Sequence, residues 1–187
     1  SEMCIRDRIC YPLFKWVLWY ATDGQMSQVD TAALRKIAVT FWGGEDAGDF
    51  STYRGKARSA FVIQNRVYAK ETLVGCDFFY PVITPEGREE HVGDPSIENR
   101  VLSAVTGIDV TEDDLYRVGE RIFNLQRAIN CREGYRGRRD DRLPAFNFTE
   151  PLLEDKMYFG MFNPAFLLPG PGGELICRKG EHLDRDK

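Results

Sequence analysis

"TEDDLYRVGERIFNLQRAINCREG", residues 111–134, carries the clearest helical pattern in the chain. Leu115, Val118, Ile122, Leu125 and Ile129 recur at intervals of three and four, so they form one stripe on a helix. Thr111 and Asp114 stand three apart at its start, as in a capping box with Asp in place of the usual Glu. Glu112, Asp113 and Asp114 suit the positive end of the helix dipole. Gly134 is a natural stop. A segment this regular sets the expected fold class as mainly α, and the flanking sequence agrees with it.

Upstream, "VDTAALRKIAVTFWG", residues 29–43, reads as a second helix. Asp30 or Thr31 caps it, Gly43-Gly44 ends it, and Leu34, Ile37, Ala38 and Phe41 share a face. A third helical pattern runs from about Thr52 to Val74, with Ser51 as N-cap. Its stripe is Ala57, Ala60, Phe61, Gln64, Val67, Tyr68 and Glu71, and Val62, Ile63, Ala69 and Leu73 make the opposite side apolar too. Burial on more than one face is expected. A carboxylate there needs a partner: either Glu71 pairs with an internal donor such as Arg66 or Lys70, or it points at a ligand. "SIENRVLSAVTG", residues 96–107, gives a short helix from Ser96 to Gly107. The Pro-rich stretch 81–95 reads as a loop, with His91 on its surface. From Phe146 onward Pro and Gly dominate, with one short hairpin expected at "LLPGPGGELICR". The result is a multi-helix domain with Pro/Gly-rich loops and that single hairpin near the C-terminus.

The net charge of -4 gives no reason to expect nucleic acid or an anionic membrane as partner. The apolar run "LFKWVLWYA" is too short to cross a bilayer and contains a lysine. Five cysteines, Cys4, Cys10, Cys76, Cys131 and Cys177, are odd in number and scattered. A secreted disulfide framework is therefore unexpected, and a reducing cytoplasm fits better. With only two histidines, His91 and His182, a Ser-His-Asp or Cys-His constellation has little to draw on. "CREGYRGRRDDRLP" interleaves five arginines with acids, which argues against a nucleic-acid patch. Its arginines form surface ion pairs, or they clamp the helix end against a neighbouring domain or an anion.

Residues 1–10 are charged and aperiodic, and they read as non-native read-through. Residues 11–187 then form one domain, expected to be cut at both ends. In "AKETLVGCDFFYPV", residues 69–82, the third helix ends at a glycine, a cysteine and an aspartate. Cys76 is either a small buried hydrophobe or one ligand of a cluster completed from elsewhere.

"GERIFNLQRAINCREGYRGRRDDRLP", residues 119–144, resembles the C-terminal domain of the aldehyde ferredoxin oxidoreductase family, whose helix E-R-I-x-N-L-x-R-x-x-N-x-R-E-G runs into a segment ending D-D-x-L-P. "FWGGEDAGDFSTYRGKARSAFVIQNRVYAKETLVGCDFFYP" is similar to the segment bearing the family's late cluster cysteine. "LLPGPGGELICRKGEHLDRDK" is similar to the stretch before its closing helix. The resemblance covers roughly Tyr11 to Lys187, about the last third of a family member.

The resemblance implies an oxidoreductase that converts aldehydes to carboxylic acids and passes electrons to ferredoxin or another electron-transfer protein. It implies tungsten (or molybdenum) held between two pyranopterin (molybdopterin-type) dithiolenes beside a 4Fe-4S cluster. Three cluster cysteines, C-x2-C-x3-C, would lie upstream of this chain, and the fourth ends a D-x-x-G-L-C motif. The matching stretch here is Glu71-Thr72-Leu73-Val74-Gly75-Cys76. The resemblance thus places Glu71, Gly75 and Cys76 at the cofactor, with Cys76 on the metal cluster. Asp has become Glu71, and the family's Gly-Leu has become Val74-Gly75. Residues 20–50 hold no histidine, so no catalytic acid or base is assigned. Cys131 and Cys177 match no cluster position and are expected to be packing residues. The chain alone should be inactive, and its remaining partners would be the other domains of the same enzyme and a small aldehyde or oxo substrate. Two other readings remain open: an acyl-CoA reductase subunit of the benzoyl-CoA type within the same family, and a helical scaffold that has lost the metal site.

Overall fold

Asp30 does what its position at the head of an apolar-periodic run predicts: its carboxylate accepts the Ala33 N–H at 2.7 Å and starts helix α2, Thr31–Phe41. The computed structural model describes residues 12, 13, 15–75, 90–151 and 167–184. Helix α1, over residues 15–22, precedes α2. The chain continues through α3 (Lys56–Thr72), α4 (Ile97–Thr106), α5 (Glu112–Arg132) and the single turn α6 (Phe146–Thr149). Strands β1 (Leu167–Pro169) and β2 (Leu175–Cys177) follow. They pair antiparallel with Leu168 opposite Ile176, which is the hairpin the Pro-Gly-Pro-Gly-Gly run predicts. The fold is mainly α, as expected.

The core lies where α1, α2 and α3 meet. Leu34, Ile37, Ala38 and Phe41 of α2 are buried there with Trp16 and Val17 of α1 and Ile63 and Val67 of α3. Each large apolar side chain removed from water contributes about 1.5–3 kcal/mol. Trp16 keeps its polar edge satisfied by donating from Nε1 to Thr31 Oγ1 at 3.0 Å. Leu168 of β1 packs on the same cluster. The hairpin also reaches α2 through Arg35, which donates to the Pro171 carbonyl.

Between α2 and α3 the chain makes one 3-10 turn, Glu45–Gly48. Lys56 closes it. Its Nζ donates to the carbonyls of Asp46, Ala47 and Asp49 at 2.6, 3.2 and 2.6 Å, and it lies 5.3 Å from the centre of the Phe50 ring. Burial pushes the Lys56 ammonium below its ordinary pKa, and Asp49 and Asp46 oppose that. Helix α3 therefore begins at Lys56, four residues later than the pattern predicts. Ser51, the expected cap, instead donates its N–H and Oγ to Asp49 Oδ1. The N-cap position falls to Gly55, whose φ of +73° and 2.7 Å approach to Asp46 leave no room for a side chain.

Helix α3 is the axis of the fold, with α2 on one side and α5 on the other. The α5 capping box is present as read, with Thr111 accepting the Asp114 N–H and Asp114 accepting the Thr111 N–H. The crossing of α3 and α5 centres on Gly119. A β-carbon there would sit 1.9 Å from the Asn65 carbonyl oxygen. Two aromatic pairs flank this contact, Phe61 with Tyr116 at 6.2 Å and Tyr68 with Phe123 at 5.5 Å. At 21 residues α5 is about 31 Å long and needs a partner along its whole apolar stripe to be covered. Along that stripe Leu115 is buried, while Leu125 and Ile129 are exposed. Helix α4 likewise turns Val101 and Val105 outward.

Arg66 joins the helices. Its guanidinium binds the Glu98 carboxylate of α4, the Pro95 carbonyl at 2.9 Å and Glu112 of α5 at 3.4 Å, and lies 5.0 Å from the Phe41 ring centre. Both Arg66 and Glu98 side chains are largely buried, at 13% and 10% exposure. This is the partner the sequence offered to Glu71, and Arg66 is committed elsewhere.

Candidate functional site

The last turn of α3 carries the residues that the sequence places at a cofactor. Glu71 is exposed there, not on a buried stripe. The buried side of α3 is Ser59, Ile63, Asn65, Val67, Ala69 and Lys70, while Ala57, Ala60 and Phe61 face outward. Of the predicted stripe only Val67 is fully buried; apolar residues surround this helix, so periodicity alone could not choose the core side. Gly75 is half-buried just beyond the helix, and Cys76 lies outside the described residues.

The helix ends in a Schellman turn. Val74 donates its N–H to the Glu71 carbonyl at 3.0 Å, and Gly75 donates to the Lys70 carbonyl at 3.1 Å. Leu73 also donates to Lys70 at 3.0 Å. The position after the cap must be left-handed, and it is occupied by Val74 with φ +59°. A β-branched residue is strained there by about 1–2 kcal/mol, and glycine is the usual occupant. The glycine stands one residue later for reasons of space. A β-carbon on Gly75 would lie 3.0 Å from Lys70 Cγ. Val74→Gly is therefore expected to stabilise the protein by about 1 kcal/mol, read as a higher midpoint in urea. An unchanged or lower midpoint would show that the turn is not strained.

The described residues, this turn included, hold no group of three or more His, Cys, Asp or Glu able to bind a metal. Cys131 and Cys177, expected to be packing residues, are both exposed and free. Cys131 stands in the last turn of α5 and Cys177 on the second strand of the hairpin. His91 is half-buried, with φ +54°. A hollow of about 560 Å³ lies between α2, the 3-10 turn and the hairpin, and Arg35, Lys36, Asp46, Asp49 and Glu90 line it. Its charges are already satisfied: Lys36 pairs with Glu90, Arg54 with Asp46, and Ser51 with Asp49.

The arginine-rich stretch after α5 folds onto the helix end. Asp141 accepts both guanidinium N–H groups of Arg127 at 2.7 and 2.5 Å and the Tyr135 hydroxyl. Asp140 takes Arg136 at 2.6 Å. The clamp is thus made by acids of the same segment. Arg127 first, then Tyr135, hold the Asp141 carboxyl well below the usual carboxylate range, and its hydrogen bond to Asp141 raises the Tyr135 pKa. A depressed folded-state pKa means that this contribution is complete above the unfolded value of about 3.9 and is lost as pH falls toward the folded value. Asp141→Asn should accordingly raise amide exchange over residues 127–135 at neutral pH, whereas the parent protein should do so only in strong acid. Equal exchange in the two proteins at neutral pH would remove the clamp.

The family model described as aldehyde ferredoxin oxidoreductase, domains 2 and 3, matches residues 14–162. The tungsten-containing aldehyde ferredoxin oxidoreductase of Pyrococcus furiosus is 41% identical over 54 residues, 29% of this chain and 9% of that protein. The protein of the same description from Pyrococcus horikoshii is 37% identical over 54 residues, with the same shares. The matched stretch therefore spans less than a tenth of these relatives. No solved structure matches the chain. The family match runs through α2, α3, α4 and α5 and includes the Glu71–Cys76 turn, and with it the chain belongs to the aldehyde ferredoxin oxidoreductase family.

Proposed function

We propose that this chain is the C-terminal helical part of a cytoplasmic tungsten-pterin oxidoreductase that oxidises an aldehyde to a carboxylic acid and delivers electrons to ferredoxin. The observation that carries this reading is the family match across α3 and its terminal turn. The names of the two Pyrococcus relatives, tungsten-containing aldehyde ferredoxin oxidoreductases, support the substrate class and the acceptor.

The donor set of this chain fits one corner of an iron–sulfur site. A 4Fe-4S cluster takes four thiolates. The α3 turn leads directly into one, Cys76, and Cys131 and Cys177 stand on uncovered surfaces elsewhere. The remaining ligands would come from another part of the full-length polypeptide. Glu71, which precedes Cys76 by five residues in the sequence and is open to solvent, could accept a hydrogen bond from a pterin. Gly75 lets the chain pass close against Lys70. When bound, the tungsten-pterin supplies the two-electron oxidation, and the cluster takes the electrons singly. Net, an aldehyde and one water give the acid, two protons and two electrons. This chain's part is to bind and to hold position.

The test is iron content in the full-length protein. Cys76→Ser is expected to lower iron per polypeptide and leave the circular dichroism of the helices unchanged. Undiminished iron in a folded Cys76→Ser protein would remove Cys76 from the cluster. A full-length wild-type protein with neither iron nor tungsten would leave the chain as a helical scaffold.

A further inference from the structure

We infer that the segment following α5 is a docking surface for an acidic protein partner, made by Arg138, Arg139, Arg142, Leu143 and Phe146. This goes beyond the functional reading above and does not depend on it.

The acids of the segment are engaged internally. Asp141 holds Arg127 and the Tyr135 hydroxyl, and Asp140 holds Arg136. The side chains of Arg138, Arg139 and Arg142 make no hydrogen bond or ion pair among the described residues, and all three are exposed. Three guanidiniums within five residues therefore meet solvent, on a chain whose net charge is -4. The patch is opposite in sign to the chain that carries it. Like charges this close repel one another, and carboxylates on a partner relieve that repulsion.

The surface is also rigid and partly apolar. Gly137–Arg139 is a 3-10 turn, and the Gly137 carbonyl accepts the N–H groups of both Asp140 and Asp141, at 2.9 and 3.1 Å. The two-pronged Arg127–Asp141 pair ties this turn to α5. The arginines thus stand on a fixed frame, and docking requires little further ordering of the backbone. Directly after them, Leu143 and Phe146 are 55% and 54% exposed. Arginine beside an exposed aromatic ring is the composition enriched at protein interfaces.

The same features select the class of partner. A nucleic-acid backbone would run its phosphates past Glu133, Asp140 and Asp141, and it gains nothing from Leu143. Carboxylates on a protein match the guanidinium fork in pairs, and apolar side chains beside them would cover Leu143 and Phe146.

The experiment measures fluorescence anisotropy of three labelled probes with the full-length protein at low salt. The probes are a glutamate-rich peptide with interspersed leucines, a polyglutamate peptide of equal charge, and a DNA duplex. The leucine-bearing peptide is expected to bind about tenfold more tightly than polyglutamate, the gain from covering one apolar side chain, and more tightly than the duplex. Arg138→Gln combined with Arg139→Gln should weaken both peptides about tenfold, with circular dichroism unchanged. Phe146→Ser should abolish the advantage of the leucine-bearing peptide and leave polyglutamate binding as it was. Equal affinity for the two peptides would reduce the surface to simple counter-ion attraction and overturn the inference. Tighter binding of the duplex, no peptide binding, or peptide binding that survives the double substitution would overturn it as well.

Discussion

Replacing Gly119 with alanine is expected to destabilise the protein by about 3 kcal/mol, although the same change in an open helix stabilises by about 1 kcal/mol. The reversal follows from one distance. The added methyl would lie 1.9 Å from the Asn65 carbonyl oxygen and 3.1 Å from the Ala69 nitrogen. Both are backbone atoms of α3, so no side-chain rotation relieves the clash, and the two helices must part. Parting them also loosens the Phe61–Tyr116 and Tyr68–Phe123 contacts on either side. For a chain of this size the melting temperature should fall by roughly 6–12 °C. A neutral or stabilising Gly119→Ala would mean that α3 and α5 do not cross at this point. The placement of α5 against α3 would then be wrong.

The second large effect is expected at Arg66. Arg66→Met should cost about 3–5 kcal/mol, because it breaks a largely buried ion pair with the Glu98 carboxylate by removing one partner. Glu98 retains little solvent, at 10% side-chain exposure, and the lost guanidinium also releases Pro95 and Glu112. Pairing Arg66→Met with Glu98→Leu should recover most of the loss, since the net value of a buried ion pair against an apolar pair is small. Urea unfolding of the two single variants and the double variant gives the coupling directly. Additive losses would show that the two side chains do not interact. A loss under about 1 kcal/mol in Arg66→Met would show that the pair is open to water.

These two sites show what the sequence could and could not reveal. Helices α2 and α5 were legible to their caps, because Asp30 and the Thr111–Asp114 box act within three residues and depend on nothing distant. The hairpin was legible for the same reason. Glu71 was misplaced because α3 is apolar on several faces, and only packing against α2 and α5 decides which one is inside. Gly119 gave a signal that went unread: a glycine inside the strongest helical pattern is costly unless another backbone comes close. The partner of Arg66 lies 32 residues away, and no local rule selects Glu98 over Glu71. At the candidate site, the resemblance points to Glu71, Gly75 and Cys76, whereas the strain at Val74 becomes visible only once the turn's geometry is known.

Lys56 has a consequence of another kind. Three carbonyl oxygens and an aromatic face around one ammonium make the kind of nest in which many proteins seat a potassium ion. Here the cation is tethered to the polypeptide, so its local concentration is fixed by the covalent chain and not by the medium. Dialysis cannot strip it, a chelator cannot compete for it, and a change of cellular salt leaves its occupancy untouched. The bend that aims α3 is in this sense supplied with its own counter-ion.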